Sequence, residues 1–377
     1  MEIRVVRQNF IDSLNFINKI SISKTGVSIL SNVLIEATSG KVKLTSTNLE
    51  ETIIALCGAE VLKDGLTTVN LRTLTDFIVN LKSDIVSIEL KENLLNIFDD
   101  KSNISLNTIP YEEFPSIPAK NDESFLDIPS IDFADAIDRT TFSTSQDSSK
   151  AILTGVLFEV DKDIHLVGID GFRLSSINID FKSFRSKEKE LLVIPSSSLN
   201  NISKIIREMN LSNDSCVTLS KVGRDNQIVF EIDNVSFITR VIDGKYPDYS
   251  KIIPADFESN FVINTADFID SVKLTSIFKF KDVSKIYFDI LTKDKKIKFN
   301  SSLAEIGSAV STVDLDVIDG KDNRISYNAK YVMDFLVHCN SDKVEVNCIN
   351  ASMKKATKFT EVGNSKYFHL IMPIMDR

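Results

Sequence analysis

The first regular pattern in the chain is helical. In "VVRQNFIDSLNFI", Phe10, Leu14 and Ile17 fall at i, i+4 and i+7 behind a short apolar lead. That spacing predicts a strand running into a helix with one apolar face. The period then drops to two. "VSILSNVLIEATSGKVKLTST" alternates, breaks at a polar turn and alternates again, as paired strands do. A second helical stretch, "LRTLTDFIVNL", carries Leu71, Leu74, Ile78 and Leu81 as its stripe. Two more strand patterns in "IVSIELKENLLNIF" close the block.

The same succession returns twice. "DIPSIDFADAIDR" and "VINTADFIDSVKL" repeat the lead and first helix, so that Phe10, Phe133 and Phe268 align, as do Asp12, Asp135 and Asp270. Hairpin patterns follow in "AILTGVLFEVDKDIHLVGID" and "VSKIYFDILTKDKKIKFNSS". The second helices return as "SSSLNNISKII", with Leu199, Ile202 and Ile206 in its stripe, and "AKYVMDFLVHC". Closing strands return as "VTLSKVGRDNQIVFEI" and "VEVNCINASMKKATKF". The marker phenylalanines are 123 and 135 residues apart, an interval too long for a solenoid and suited to a duplicated domain. "YEEFPSIP" and "DGKYPDYSKIIP" set an aromatic before proline at Phe114-Pro115 and Tyr246-Pro247, which makes stiff connectors. The expected fold is therefore α+β, with three similar domains at 1–120, 121–254 and 255–377. Each would have two helices backed by antiparallel sheet. Packed edge to edge, such domains would form an arc that closes only by meeting another copy, and a head-to-tail contact whose rotation closes gives a ring.

Length agrees with the repeat: at roughly 100–150 residues per domain, 377 residues make about three. Apolar residues at 43% and charged residues at 26% are ordinary for a globular protein. No apolar run approaches the ~20 residues of a membrane span, and "MEIRVVRQNF" lacks a signal peptide's apolar core, so a cytoplasmic location is expected. Cys57, Cys216, Cys339 and Cys348 form no CxxC pair and read as buried free thiols. His165, His338 and His369 are far apart in sequence and suggest no zinc site. Glycine-rich phosphate loops, a G-x-S-x-G elbow and HExxH are absent, and Asp170-Gly171 and Asp243-Gly244 read as turn dipeptides. Asp99-Asp100 reads as a solvated hairpin end rather than a metal site. A net charge of −9 argues against gripping nucleic acid with the whole surface, though it leaves room for a local basic face.

An ordered set of segments resembles one family. "IDGFRLSS" is similar to the T-D-G-H-R-L segment of bacterial sliding clamps, the beta subunit of DNA polymerase III. "RVIDGKYPDYSKIIP" and "SLNTIPYEEFPSIP" resemble that family's two interdomain connectors. "SILSNVLIEA", "TSTNLEE" and the terminal "IMPI" fall in the family's order, so the resemblance spans the chain. It implies a head-to-tail homodimer of six similar domains that encircles duplex DNA. It implies no catalysis, no cofactor and no metal. The implied partners are the DNA polymerase III catalytic subunit, other polymerases and repair proteins with clamp-binding peptides, and a clamp loader that spends its own ATP; no membrane is involved.

The resemblance also implies site residues. A peptide pocket would be lined by Leu153, Ile169, Gly171, Phe172, Arg173 and Leu174, by Pro247, Lys251 and Ile252, and by Leu370, Met372, Pro373 and Ile374. This is an apolar groove with polar groups at its rim, and methionine adapts to varied partners. Phe172 stands where the family commonly has His, which should make the pocket greasier. The tail "MPIMDR" runs past the family's usual ending, with Arg377 a candidate for its terminal contact. DNA-facing positions carry over onto Lys24, Gln146 and Lys150, with lysine where the family often has arginine at Lys24 and Lys150. Helix cations add Arg72, Lys82, Lys204 and Arg207, and a third helix would contribute Lys273 and Lys279. Loose contact with phosphate allows sliding, whereas base-edge contacts would stop it. At the dimer contact, edge strands would pair, with Ile104 against Ile277 and Phe278, and with Lys101 and Arg72 facing Glu305. Two other readings remain at this stage: a polar-substrate enzyme on repeated α+β domains, and a monomeric scaffold of the same fold.

Overall fold

The computed structural model describes residues 1–20, 28–117, 120–186, 188–222, 226–278, 283–303, 306–349 and 355–375. Its elements follow the repeat. The first block runs β1 (Glu2–Val6), α1 (Arg7–Ile17), β2 (Asn32–Thr38), β3 (Lys41–Thr47), β4 (Glu51–Lys63), β5 (Gly65–Asn70), α2 (Leu71–Asn80), β6 (Ile85–Lys91), β7 (Leu94–Phe98) and β8 (Asn103–Asn107). The second runs β9 (Lys120–Pro129), α3 (Ser130–Thr141), β10 (Gly155–Val160), β11 (Ile164–Ile169), β12 (Arg173–Ile179), β13 (Ser183–Phe184), β14 (Glu190–Pro195), α4 (Ser196–Glu208), β15 (Cys216–Val222), β16 (Gln227–Ile232) and β17 (Val235–Arg240). The third runs β18 (Ser259–Asn264), α5 (Thr265–Thr275), β19 (Lys285–Leu291), β20 (Lys296–Leu303), β21 (Gly307–Asp314), β22 (Val317–Gly320), β23 (Asn323–Asn328), α6 (Ala329–Leu336), β24 (Lys343–Cys348), β25 (Thr357–Glu361) and β26 (Tyr367–Ile371).

The helices bury the faces their spacing predicts. Phe10, Phe133 and Phe268, the three markers of the repeat, are all fully buried. Phe133 stacks on Phe230 at 6.0 Å, and Phe268 meets Phe299 at 5.3 Å and Phe288 at 5.7 Å. Leu71, Leu74 and Ile78 of α2 and Leu199, Ile202 and Ile206 of α4 are buried in the same way. Strand passes to helix without a loop at α2, α5 and α6, and an asparagine caps each junction. Asn70 accepts from Thr73 N at 3.0 Å, Asn264 from Ala266 N at 2.9 Å and Asn328 from Lys330 N at 3.1 Å. Gly168 in β11 admits the end of α3, since a side chain there would meet the Thr140 carbonyl oxygen at 2.2 Å.

The chain divides into two compact units that do not follow the repeat. The first holds Met1–Ala134, Phe181–Lys187 and Ser197–Val241; the second holds Asp135–Asp180, Glu188–Ser196 and Ile242–Arg377. The cut passes through the middle repeat because each half of that repeat continues a neighbour's sheet. In the first unit β17 pairs antiparallel with β4, Val235 opposite Ala55 through Thr239 opposite Glu51. The sheet runs on from β13 through β9, β15, β16, β17, β4, β1, β6 and β7 to β8. In the second unit β12 pairs antiparallel with β26, Arg173 opposite Ile371 through Ile177 opposite Tyr367. There β10, β11, β12 and β14 join β18, β22 and β24–β26 in nine strands, and β19, β20, β21 and β23 form a separate sheet of four. β4 and β12, which supply these seams, and β21, which ends the four-stranded sheet, are strands that the hairpin pattern of the sequence did not distinguish.

All four cysteines are free. Asp99, weighed as a metal ligand, instead caps its own turn, accepting from Lys101 N at 3.0 Å and Ser102 N at 2.7 Å. Among the described residues no cluster of His, Cys, Asp and Glu is placed to hold a metal ion, and no helix is long and apolar enough to cross a membrane.

A buried ion pair ties α3 to the β25–β26 turn. Arg139 Nη1 lies 3.1 Å from Glu361 Oε2, and its guanidinium sits 4.9 Å from the Tyr367 ring centre. Glu361 also accepts from Asn340 N at 2.6 Å and Asn364 Nδ2 at 2.7 Å. Glu361→Ala strands a buried guanidinium and is expected to cost about 3–5 kcal/mol in urea unfolding followed by circular dichroism. Arg139→Met with Glu361→Leu is expected to regain most of that loss, because the penalty lies in the unpaired charge.

Candidate functional site

Strand β11 turns into β12 through Asp170, Gly171 and Phe172. Asp170 Oδ1 accepts from Phe172 N at 2.8 Å and Arg173 N at 2.9 Å, which closes the turn on its own side chain. Gly171 sits at φ +94°, a conformation that favours glycine. The turn holds Phe172 out at 59% exposure. Met372 N donates to Phe172 O at 2.8 Å, so the β12–β26 pairing extends to the rim of the turn.

Beside this rim lies an apolar cluster, where the resemblance places the peptide groove. Leu157, Val167, Ile169, Leu174 and Leu370 form its buried floor, and Ile152, Leu153, Phe368 and Met372 pack against them. The connector after β17 supplies the other wall with Tyr246, Tyr249 and Ile253. Tyr246 Oη donates to Val167 O at 3.0 Å, and burial raises its phenol well above the usual range. Tyr249 Oη donates to Glu159 Oε2 at 3.1 Å. Burial, and then the Glu159 carboxylate, push the Tyr249 phenol up to about 12. Burial opposes the charge on Glu159, but bonds from Lys189 and Tyr249 outweigh it and hold this carboxyl below its usual value. The aromatic wall is thus fixed by hydroxyls at its edges and leaves its rings to the groove.

Of the positions expected from the resemblance, Leu153, Ile169, Leu174, Leu370 and Met372 meet in this one cluster. Ile252 and Lys251 lie on the connector at the groove's edge, with Lys251 paired to Asp248 at 3.0 Å and largely exposed, and Pro247 sits just ahead of them. Arg173 does not offer its charge to the groove. Strand alternation turns it to the opposite face from Leu174. There it pairs with Asp170 at 3.0 Å and Asp334 at 2.5 Å, donates to Phe142 O and lies 4.4 Å from the Tyr331 ring centre. It braces the turn from behind. Pro373 and Ile374 also leave the floor: Ile374 N donates to Ser326 O at 2.8 Å and Ser326 Oγ to Ile374 O at 2.7 Å, which runs the tail along β23. Arg377 lies outside the described residues. Ile152, Leu157, Val167, Tyr249 and Phe368 were not singled out in the sequence, and Tyr246 was marked only as part of a stiff connector, although the aromatics of "GKYPDYSKI" were a usable signal.

His369 sits behind the same strand, fully buried, with Nδ1 2.8 Å from Ser175 Oγ and its ring stacked on Phe335. Burial, and then Arg173 and His338, push its pKa far below the usual histidine value, so it is a neutral core residue.

The expected DNA-facing residues are all exposed where described: Arg72, Lys82, Gln146, Lys150, Lys204 and Arg207. Lys24 and Lys279 lie outside the described residues. The helices as a set are less basic than expected. α3 brings Asp132, Asp135 and Asp138 against Arg139, which is buried on Glu361, and Arg72 of α2 has Asp76 at 4.0 Å. The exception is α4, whose Lys204 and Arg207 are exposed while its Glu208 pairs with Lys19 at 2.5 Å. At the expected dimer contact, Lys101 and Ile277 are exposed and Ile104 and Phe278 half-buried; Glu305 lies outside the described residues.

Comparison with known proteins gives one family throughout. The chain matches the models for the DNA polymerase III beta subunit N-terminal domain over residues 1–118, central domain over 127–248 and C-terminal domain over 250–375. It is 27% identical over 375 residues to the beta sliding clamp of Streptococcus pneumoniae, covering 97% of each chain. Its fold matches the DNA polymerase sliding clamp of Bacillus subtilis with a TM-score of 0.93 at 23% identity, over 100% of both chains. A sliding clamp from Pseudomonas aeruginosa, solved bound to griselimycin, matches at a TM-score of 0.91 and 22% identity over the same full coverage.

The aromatic wall has a pH signature. The raised Tyr249 phenol stays protonated when its unfolded counterpart ionises near pH 10, so its contribution is complete below pH 10 and is lost as pH rises toward 12. The unfolding midpoint in urea is expected to fall across that window, and to fall less in Tyr249→Phe.

Proposed function

The chain belongs to the DNA polymerase III beta subunit family and is a DNA sliding clamp, a non-catalytic processivity subunit of replication; from this we propose that two copies join head to tail into a ring around duplex DNA and tether polymerase through the groove. The observation that carries the ring is which strand edges are left over. Both seams within the chain join equivalent strands: β4 or β12, the third strand after a repeat's first helix, and β17 or β26, the last strand of the next repeat. The remaining strands in those two places are β21 and β8, and each ends its sheet. Unpaired edges seek partners, and pairing β21 of one copy with β8 of the other repeats the chain's own seam a third time.

The register of that third seam follows from the repeat. Asn103 precedes Pro115 by the same twelve residues that separate Val235 from Pro247. All of β8 (Asn103–Asn107) therefore corresponds to the segment of β17 that pairs with β4, and it would lie against the first half of β21. Apolar surface is available there, with Ile277 at 68%, Ile306 at 71% and Val310 at 58% exposure. Ile104 on β8 would meet Ile277 and Phe278, while Lys101 and Arg72 toward Glu305 would be rim charges of small energetic weight.

In this reading the domains are 1–120, 121–254 and 255–377. Arg72, Lys82, Lys204, Arg207, Gln146, Lys150 and Lys24 face the duplex and touch phosphate alone, so the ring slides. A loader protein opens it. The groove takes a short apolar segment of the polymerase catalytic subunit, or of other polymerases and repair proteins in turn. Phe172 adds a ring at the mouth where a histidine would offer a polar edge.

Sedimentation equilibrium is expected to give the mass of two chains at micromolar concentration, and Ile277→Asp the mass of one. Loaded on circular duplex DNA, the protein is expected to stay bound until a single cut linearises the circle. A single-chain mass in the unaltered protein, or retention that ignores the cut, would refute the ring. Met372→Asp is expected to weaken binding of a polymerase-derived peptide at least about tenfold, by placing a charge on an apolar floor, with the two-chain mass unchanged. An unaltered peptide affinity would remove Met372 from the groove.

A further inference from the structure

The groove does not stop at Met372. A further cavity of about 260 Å³ opens there, with Ile253, Pro254 and Ala255 on one side, Lys355 and Ala356 on the other, and Met372 shared with the main floor. Ala356 and Ile253 belong to the same apolar cluster as Leu174 and Leu370, so this cavity borders that cluster directly. Among the described residues that line this extension, the charged ones are both lysines. Lys251 stands at its mouth, 81% exposed and held only by Asp248 at 3.0 Å, a surface pair of small weight. Lys355 is exposed opposite. Lys358 lies on the adjoining strand with its ammonium 5.2 Å from the Phe368 ring centre. Nearby carboxylates are engaged: Asp248 by Ser250 and Lys251, and Glu345 by Asn260 at 2.7 Å and Thr360 at 3.4 Å.

We infer that this extension receives an acidic side chain of the partner peptide, an aspartate or glutamate flanking the apolar residues that fill the groove, with its carboxylate between Lys251 and Lys355. The inference rests on the groove being a peptide site and adds the partner's charge to it. Two lysines across an apolar gap attract a carboxylate while leaving an uncharged flank little to bind. The extension therefore acts in selection: among apolar segments it favours those bordered by acid.

The test uses the full-length protein and fluorescein-labelled nine-residue peptides with a Leu-Leu-Phe centre. A single glutamate is scanned along both flanks, and each peptide has a glutamine counterpart. At one position or two adjacent ones, glutamate is expected to bind about three- to tenfold tighter than glutamine at low salt, a gap that narrows as salt rises. Lys355→Gln is expected to remove most of that gap while holding the glutamine peptide within about twofold, and Lys355→Glu to reverse it toward a lysine-bearing peptide. Lys251→Gln provides a second, independent loss of the gap. Equal affinity of every glutamate and glutamine pair, with binding still lost in Met372→Asp, would overturn the inference and leave the groove standing. Failure of all the peptides to bind would overturn both.

Discussion

An unpaired strand edge is a row of unsatisfied donors and acceptors, and this chain deals with that liability by repetition. Each of its three blocks has two such edges to dispose of. Inside the chain two ladders, β4–β17 and β12–β26, use one edge from each neighbouring pair of blocks, and both are antiparallel over five residues. Their registers agree: the first begins at Glu51 and the second at Arg173, each the first residue of its strand. Equal geometry at two seams marks β8 and β21, each of which ends its sheet, as the edges a third seam of the same kind would use. The proposed dimer would then need no new kind of contact, only another use of the one the chain already makes.

Equal geometry makes the difference between the seams informative. Hairpin register places Thr45, Thr47 and Thr52 of the first seam where the second has Val167, Ile169 and Leu174. Ladder register places Ser236 and Arg240 where the second has Phe368 and Met372. At the first seam these positions are polar and buried: Thr47 and Thr52 bond to each other at 2.9 Å, and Thr45 lies fully buried beside them. At the second the same positions offer carbon, packed against Ile152, Leu153, Phe368 and Met372 and against Tyr246, Tyr249 and Ile253 of the connector. The groove is therefore a local property of side chains on a shared backbone. Its apolar character could not arise from the fold alone, since the fold supplies the same frame elsewhere without a groove.

Much of this was legible in the sequence because it lay in periodicity. Phe10, Phe133 and Phe268 mark three helices and are themselves fully buried, and the stripes of α2 and α4 are buried as spaced. The seam strands were not legible for a physical reason. β12 reads "RLSSINI" with Arg173, Leu174, Ser175 and Ser176 all buried, because one face meets the groove and the other meets α3 and α6. A strand enclosed on both sides loses the alternation by which strands are recognised. The same enclosure misled the reading of Arg173. Sequence position put it in the pocket, whereas its guanidinium is spent on Asp170, Asp334 and Phe142. Connector aromatics were visible as letters, but nothing in their spacing tells which carbonyl Tyr246 will reach.

Charge decides how such a protein could stay on DNA at all. The chain carries −9 overall, and α3 brings three aspartates beside one arginine, so its composition is not that of a protein that grips DNA with its whole surface. Of the cations expected to face DNA, those described are Arg72, Lys82, Lys150, Lys204 and Arg207, all exposed. Each phosphate neutralised contributes a salt dependence of about 0.9 in the log–log slope, so a handful of such contacts holds DNA weakly at physiological salt and releases it quickly. Weak contact would be a defect in a protein held by affinity. In one held by closure it is a requirement, because every stronger grip adds friction to movement along the duplex while adding nothing to retention. In the proposed ring the cations and the spare strand edges would act together: binding energy placed in the seams would close the ring and be withheld from the DNA.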